Sequence, residues 1–284
     1  MENDGVELIR EAIEYMESHL EKKLDLDTVA GTVHYSKYHF HRIFTLGVGM
    51  TPHNYVQRRR LTEAARQLVF TRVPILEIAA GAGYESQQAF TGIFKAMYKC
   101  TPLEYRERES FYPLQLPFVL TPAPSSFADM EGKVVYATQE DIPDWMGLTK
   151  LVINGFPCFD EAEHRERLVE YISERRAVIM WNRGVLVGAA AFSSQDGSID
   201  FLGVHPQYHR YGVEKALLSF ILDYEMPWKR EVSITTFREG DRADTGQRAA
   251  YQRLGFEEGE LLAEFGYPTQ RLVLRRGEGA ASHE

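Results

Sequence analysis

The chain repeats itself at an offset of fifty residues. Leu26, Ala30, Gly31, Ser36, Phe40, Ile43, Phe44, Thr51, Pro52, Tyr55 and Arg58 return as Leu76, Ala80, Gly81, Ser86, Phe90, Ile93, Phe94, Thr101, Pro102, Tyr105 and Arg108. These are 11 identities over the 33 positions 26–58, where unrelated segments share about two. Two tandem copies of one helical unit imply a grip on something periodic, and duplex DNA is the usual periodic partner.

Local signals make the repeated unit helical. Residues 6–20 place Ile9, Ile13, Met16 and Leu20 at helix spacing. A short helix is expected over residues 25–33, and a third, capped by Ser36, to about Leu46. In that third helix Phe40, Ile43 and Phe44 form an i, i+3, i+4 stripe for the core. Thr51 and Pro52 open a longer helix to about Phe70, with the hydroxyl as cap and the proline in the first turn. The second copy predicts helices over residues 75–82 and 86–98 and a short one after Thr101-Pro102.

With both stripes facing inward, the opposite faces present Tyr38, His41, Arg42 and Thr45 in the first copy. In the second they present Gln88, Thr91, Gly92 and Lys95. Hydrogen-bonding and cationic side chains on the exposed face of a helix-turn-helix suit base edges and phosphates. Arg42 matches a guanine and Gln88 an adenine edge. Arg58, Arg59 and Arg60 lie near the start of the long helix, where they either contact phosphate or cap neighbouring helices.

The formal net charge of −9 hides a division. Residues 1–33 carry nine acids against three bases, and residues 34–108 carry eleven Lys and Arg against five acids. A local surplus of this kind can attract phosphates inside an acidic chain, because screening confines contact electrostatics to short range.

At 284 residues the chain has room for two domains, each with its own core. No apolar run approaches a membrane span and no secretory leader pattern is present, so the expected address is the cytoplasm. Cys100 and Cys158 have no neighbours at metal-ligand spacing, which argues against a zinc site or a disulfide framework. Residues 111–131, with Pro113, Pro117, Pro122 and Pro124, suit an extended linker. Beyond it, strand-like runs at 178–180, 185–192, 199–204, 232–237 and 271–274 alternate with helical stretches, the pattern of an α/β domain. The expected organisation is therefore multi-domain. An all-α double helix-turn-helix spans residues 1–110, the linker 111–131, an α/β domain 132–276, and a tail 277–284.

The segments YSKYHFHRIF, TPHNYVQRRRLTEAARQL, ILEIAAGAGYESQQAFTGIFK and TPLEYR resemble the double helix-turn-helix domain of the AraC family, especially its Mar/Sox/Rob group. The resemblance covers residues 6–108. It implies a seven-helix domain that binds double-stranded DNA as a monomer, with RNA polymerase as a further partner. Its base and phosphate contacts map onto Tyr38, His41, Arg42, Gln87, Gln88 and Thr91, and Ser36, Lys37, Arg58 and Lys95 join them as expected DNA-binding residues. Gly92 departs from the group, which typically carries arginine there.

Two segments of the second half, IDFLGVHPQYHRYGVEKALL and DTGQRAAYQRLGF, resemble the GNAT superfamily of acyl-CoA N-acyltransferases, over about residues 132–275. In that family the first follows V-x-P-x-x-R-x-x-G-x-G/A and the second N-x-x-A-x-x-x-Y-x-x-x-G-F. The resemblance implies acetyl-CoA as cofactor and no metal. It places the cofactor near Val204, its pyrophosphate over His209, Arg210, Tyr211, Gly212, Val213 and Glu214, and Asp244 at the start of the second motif. It makes Tyr251 the general acid and Asp200 a candidate base. Here His209 replaces the usual Arg or Gln, Glu214 the final small residue and Asp244 the usual Asn. A carboxylate in the first turn of a helix suits its dipole but repels a pyrophosphate.

Together these readings predict a sequence-specific DNA-binding regulator. Its GNAT-like half either binds acyl-CoA or a small effector or acetylates a small amine. The alternatives are an N-acetyltransferase of a small amine or antibiotic with an accessory DNA-binding domain, and a helical interaction module fused to an inactive α/β domain.

Overall fold

The structure, a computed structural model, describes residues 3–22, 24–120, 130, 132–152, 160–264 and 267–277. Most of the second half of the expected linker, the tail beyond Gly277 and Cys158 lie outside the described residues. The chain divides into two compact units that part near residue 125.

The first unit is helical. Its elements are α1 (Asn3–Ser18), α2 (Leu26–Thr32), α3 (Lys37–Val48), α4 (Pro52–Phe70), α5 (Ile75–Gly81), α6 (Gln87–Tyr98) and α7 (Pro102–Glu107). The repeat is visible in the caps. Ser36 and Ser86 accept hydrogen bonds from His39 and Ala89 N–H at the starts of α3 and α6. Thr51 and Thr101 do the same for α4 and α7, each followed by proline. Each cap satisfies a donor that the first turn would otherwise leave free.

The repeat is also visible in the core. Phe40 stacks toward Phe44 at 5.5 Å and Phe44 meets the Tyr55 ring at 5.8 Å. In the second copy Phe90 meets Phe94 at 5.4 Å and Phe94 meets Tyr105 at 5.4 Å. All six rings are buried, and burying each contributes about 1.5–3 kcal/mol relative to exposure.

The first part of the proline-rich segment is extended, but it is docked rather than free. Leu114, Gln115 and Phe118 are buried against α4. Thr62 Oγ1 accepts from the N–H groups of Leu114 (3.0 Å) and Gln115 (3.1 Å), while Phe118 N–H donates to Tyr55 Oη (3.3 Å). Prolines keep this strap out of helix, so its backbone groups take partners from α4 side chains instead.

The second unit is a seven-stranded sheet in the order β1-β2-β3-β4-β5-β7-β6. The strands are β1 (Val134–Tyr136), β2 (Ala177–Asn182), β3 (Val185–Ser193), β4 (Ser198–Val204), β5 (Glu231–Phe237), β6 (Glu257–Glu264) and β7 (Tyr267–Arg275). All neighbours are antiparallel except β4 and β5. Helices α8 (Ile142–Val152) and α9 (Glu161–Ser173) precede β2; α10 (Val213–Phe220) follows β4 and α11 (Gln247–Arg253) follows β5. Trp145, Leu148 and Leu168 of α8 and α9 pack on Ala189 and Ala191 of β3. Gly188 points the other way, toward α10. A Cβ there would stand 2.5 Å from Val213 Cγ1 and 2.9 Å from Leu217 Cδ1, so only glycine lets the helix lie this close.

Two strands were not expected from the sequence, and both are sheet edges. β1 is three residues long, and β6 reads EEGELLAE with mostly exposed or half-buried positions. β1 is too short to show a period, and β6 is a glutamate-rich edge strand whose apolar alternation is weak. The second GNAT-like motif, residues 244–256, is helical only in its middle. Asp244 Oδ1 accepts from Gly246 and Gln247 N–H, and Gly246 adopts φ +107°, so α11 starts only at Gln247. It ends in a Schellman motif, with Gly255 N–H bonded to Gln252 O and Phe256 N–H to Tyr251 O.

Candidate nucleic-acid interface and acyl-CoA cleft

On α3, Tyr38, His41 and Arg42 are exposed, Tyr38 at 79%. Ser36 caps the helix, and Lys37 lies 3.3 Å from Asp27 with its ammonium near the Tyr38 ring. On α6, Gln87, Gln88, Gly92 and Lys95 are exposed and Thr91 is half-buried. Among the described residues Arg42, Gln87 and Gln88 have no side-chain hydrogen bond to the rest of the chain. Their polar ends are therefore available to a ligand without breaking anything. Nothing lies within 4 Å of a Cβ built on Gly92, so the missing side chain leaves open surface.

Arg58, expected at a phosphate, is a correction. It is 2% exposed and donates from Nη2 to the Leu114 carbonyl at 3.2 Å. Arg59 is buried too, paired bidentately with Glu17 (2.9 and 2.8 Å), 3.1 Å from Glu63 and bonded to the Gln115 carbonyl. Arg60 is half-buried, donating to the Leu20 and Lys22 carbonyls. Arg106 bonds to the Leu68 and Val73 carbonyls. Four of the eleven cations of residues 34–108 thus serve the interior. The reason is position. The run sits where α4 is covered by α1 on one side and the strap on another, and planar guanidinium groups bridge several carbonyls at once.

In the second unit β4 and β5 run parallel but pair only through Ser198↔Ser233 and Ile199↔Ile234. Beyond Ile199 the two strands share no further ladder pairs among the described residues, so the C-terminal half of β4 is unpaired on its β5 side. Val204 ends β4 and is buried. The chain then forms a 3-10 turn, Pro206–Tyr211, before Gly212 (φ +72°) turns it into α10. Val213 is fully buried against Gly188.

The side chains of this loop are engaged with one another. His209 Nδ1 hydrogen-bonds Glu214 Oε1, and Glu214 is 9% exposed. Arg210 folds onto Tyr211, its Nη2 2.6 Å from the phenol oxygen and its guanidinium 4.8 Å from the ring centre. His205 is buried, which pushes its imidazole down to about 4, with the nearby His209 adding to the effect.

Tyr251 is buried on α11. Its Oη donates to the Leu202 carbonyl of β4 (3.3 Å) and accepts from Gln247 Nε2 (2.8 Å). Burial raises the phenol well above its ordinary value. The Gln247 bond opposes this, and the Glu214 and Asp244 carboxylates add to it. Asp200 faces elsewhere. Ala191 pairs with Phe201 and Phe192 with Ile199, so Asp200 is the extra residue of a bulge. Its carboxylate accepts from Tyr171 Oη of α9 (2.9 Å) and Ser198 Oγ (2.6 Å). The structure therefore brings Tyr251, Glu214 and Asp244 to one neighbourhood and holds Asp200 in another.

The helix-turn-helix domain family matches residues 29–108, and the acetyltransferase (GNAT) domain family matches residues 148–265. The HTH-type transcriptional regulator YbfP of Bacillus subtilis is 41% identical over 98 residues, covering 34% of this chain and 33% of YbfP. The regulatory protein SoxS of Salmonella typhimurium is 37% identical over 102 residues, covering 36% of this chain and 95% of SoxS. The chain belongs to the AraC family of transcriptional regulators. It spans about a third of YbfP and nearly all of SoxS. An AraC-type regulator from Chromobacterium violaceum aligns at 28% identity and TM-score 0.35, over 37% of this chain and 93% of its own. A GNAT-family acetyltransferase from Bacillus cereus aligns at 16% identity and TM-score 0.41, over 52% and 99%. This AraC-family chain thus carries a GNAT-type domain behind its helix-turn-helix units.

GNAT domains in general use acyl-CoA. The loop of this AraC-family chain does not fit the cofactor's pyrophosphate. Gly212 supplies the left-handed turn, but a half-exposed histidine and a buried carboxylate close over the first turn of α10. Tyr251 has both hydrogen-bonding capacities of its phenol filled by the protein itself.

Proposed function

We propose that the chain is a sequence-specific DNA-binding transcriptional regulator of the cytoplasm that reads duplex DNA through α3 and α6. The observation that carries this is the pair of exposed helix faces, each at the same place in its repeat. Arg42 is free on one and Gln87 and Gln88 on the other. A guanidinium matches guanine O6 and N7, and a carboxamide matches adenine N6 and N7. Ser36, Lys37, Tyr38, His41, Thr91 and Lys95 supply flanking contacts to bases and phosphates. RNA polymerase is the further partner implied by the family. Among the described residues no helix is long and apolar enough to cross a membrane.

The test is selection of bound duplexes from a random pool, followed by footprinting. The expected result is one enriched motif with two protected major-groove segments. Protection of a single segment, or no enrichment over random sequence, refutes two-headed reading.

For the GNAT-type half we propose a regulatory role. A small effector that binds two states of the chain unequally shifts the fraction competent for DNA. Acetylation of a small amine is the competing reading, favoured by Tyr251 standing at the family position. Acetyl-CoA turnover with Tyr251→Phe as control separates the two. Turnover that is lost in the variant supports catalysis, and no turnover in either supports the regulatory role.

A further inference from the structure

The first turn of α10 contains a buried acid that the GNAT family relation does not account for. Glu214 occupies the second helical position, where unpaired N–H groups and the helix dipole favour an anion. It is 9% exposed and bonded to His209, five residues earlier. The bond ties together the two ends of segment 209–214, the stretch over which a diphosphate would lie. Behind it the turn is packed, with Gln207 and Tyr208 buried. Arg210, the arginine within the segment, is stacked on Tyr211. Asp244 supplies a second carboxylate near Tyr251, and its Oδ1 is already engaged with the N–H groups that begin α11.

We infer that Glu214, clasped by His209, takes the place of a bound anion at the N-terminus of α10, and that this GNAT-type domain for that reason rejects acyl-CoA. A diphosphate brought to this turn meets a carboxylate of like charge that has little water to screen it. It must either displace Glu214 from His209 or forgo the helix N-terminus. The dipole at this end of the helix already has a carboxylate in its first turn, Glu214. This inference rests on the fold of the second unit and is independent of DNA reading by the first.

The full-length chain is titrated calorimetrically with CoA and with acetyl-CoA. The wild type is expected to give no saturable heat up to about 1 mM ligand. Glu214→Gln keeps the side chain's size and removes its charge. Glu214→Gly combined with His209→Gln restores the family's small residue and polar partner. Each is expected to gain CoA affinity by about tenfold or more, since like-charge juxtaposition is strongly unfavourable. His209→Ala, which removes the clasp but leaves the carboxylate in place, is expected to gain less than either Glu214 variant, and a gain equal to theirs would overturn the role given to the charge. DNA anisotropy and tryptophan emission, recorded on every variant, report that both units are folded. Wild-type binding of CoA at micromolar concentration overturns the inference. Folded Glu214 variants that bind CoA no better than the wild type overturn it equally. Neither result touches DNA recognition, whose failure would appear in the anisotropy alone.

Discussion

Replacing Thr62 with valine removes one oxygen and little else, and it tests how the strap is held. Thr62 is 2% exposed, and its Oγ1 accepts from the N–H groups of both Leu114 and Gln115 while donating to the Arg58 carbonyl. Valine has the same shape but no acceptor, so two buried N–H groups lose their partner. Each such loss costs about 1–3 kcal/mol. The strap borders solvent at Pro117 and Val119, which lets it relax, so the sum is placed at about 2–4 kcal/mol. Converted at about 1.4 kcal/mol per decade, this is an opening equilibrium about 30- to 700-fold more populated. Hydrogen exchange of the peptide covering Leu114 and Gln115, followed by mass spectrometry, reads that population directly. The interior of α6, whose caps do not involve Thr62, should keep its protection and serves as the internal reference. Unchanged exchange at Leu114 and Gln115 would refute the docked strap.

Arg42→Ala should weaken cognate DNA binding by about 5- to 150-fold while leaving thermal stability within about 0.5 kcal/mol, because the side chain has no internal partner to lose; anisotropy and calorimetry check the two halves. Gly92→Arg should tighten DNA binding and steepen the log-affinity against log-salt slope by about 0.9, since the position opens to solvent and adds a phosphate-reaching cation. An unchanged slope would mean that α6 does not lie beside a phosphate. The α/β unit should lose stability as pH falls from about 6.5 toward 4. His205 is buried neutral with its value lowered to about 4, so the native state binds fewer protons than the unfolded one across that window. The full effect of this histidine is about 3 kcal/mol. All three tryptophans, Trp145, Trp181 and Trp228, lie in this unit, so their emission in urea isolates it, and His205→Gln should remove about half of the dependence, the rest coming from His164, which burial in the same unit also lowers to about 4.

Most of the helical unit was legible because its signals are local. A serine or threonine cap, a proline in the first turn and an i, i+3, i+4 stripe fix helix starts and inward faces, and α4 starts at Pro52 as Thr51-Pro52 suggest. For the arginine run both phosphate contact and capping of neighbouring helices stayed open, because spacing cannot say which face of a mostly buried helix a cation occupies. That depended on a strap more than fifty residues away, a contact with no sequence period. In the second unit the five strands with strong apolar character were legible and the two edges were not. At the cleft, the identities of His209, Glu214 and Asp244 signalled trouble for a pyrophosphate. That Glu214 and His209 bond to each other was invisible, because a five-residue separation across a 3-10 turn and a left-handed glycine follows neither helix nor strand spacing. Tyr251 was found by its motif. Its satisfaction by Leu202 and Gln247 is a tertiary fact.

Gly188 settles where motion in the second unit can start. With no Cβ between them, sheet and helix are in van der Waals registry along Val213 and Leu217, so α10 has no slack in which to slide or tilt. Any remodelling at its first turn has to come from the stretch before it, with Gly212 as the joint that swings. Because Gly212 sits at φ +72°, a side chain placed there strains the turn itself, so the entry to α10 depends on glycine at this joint.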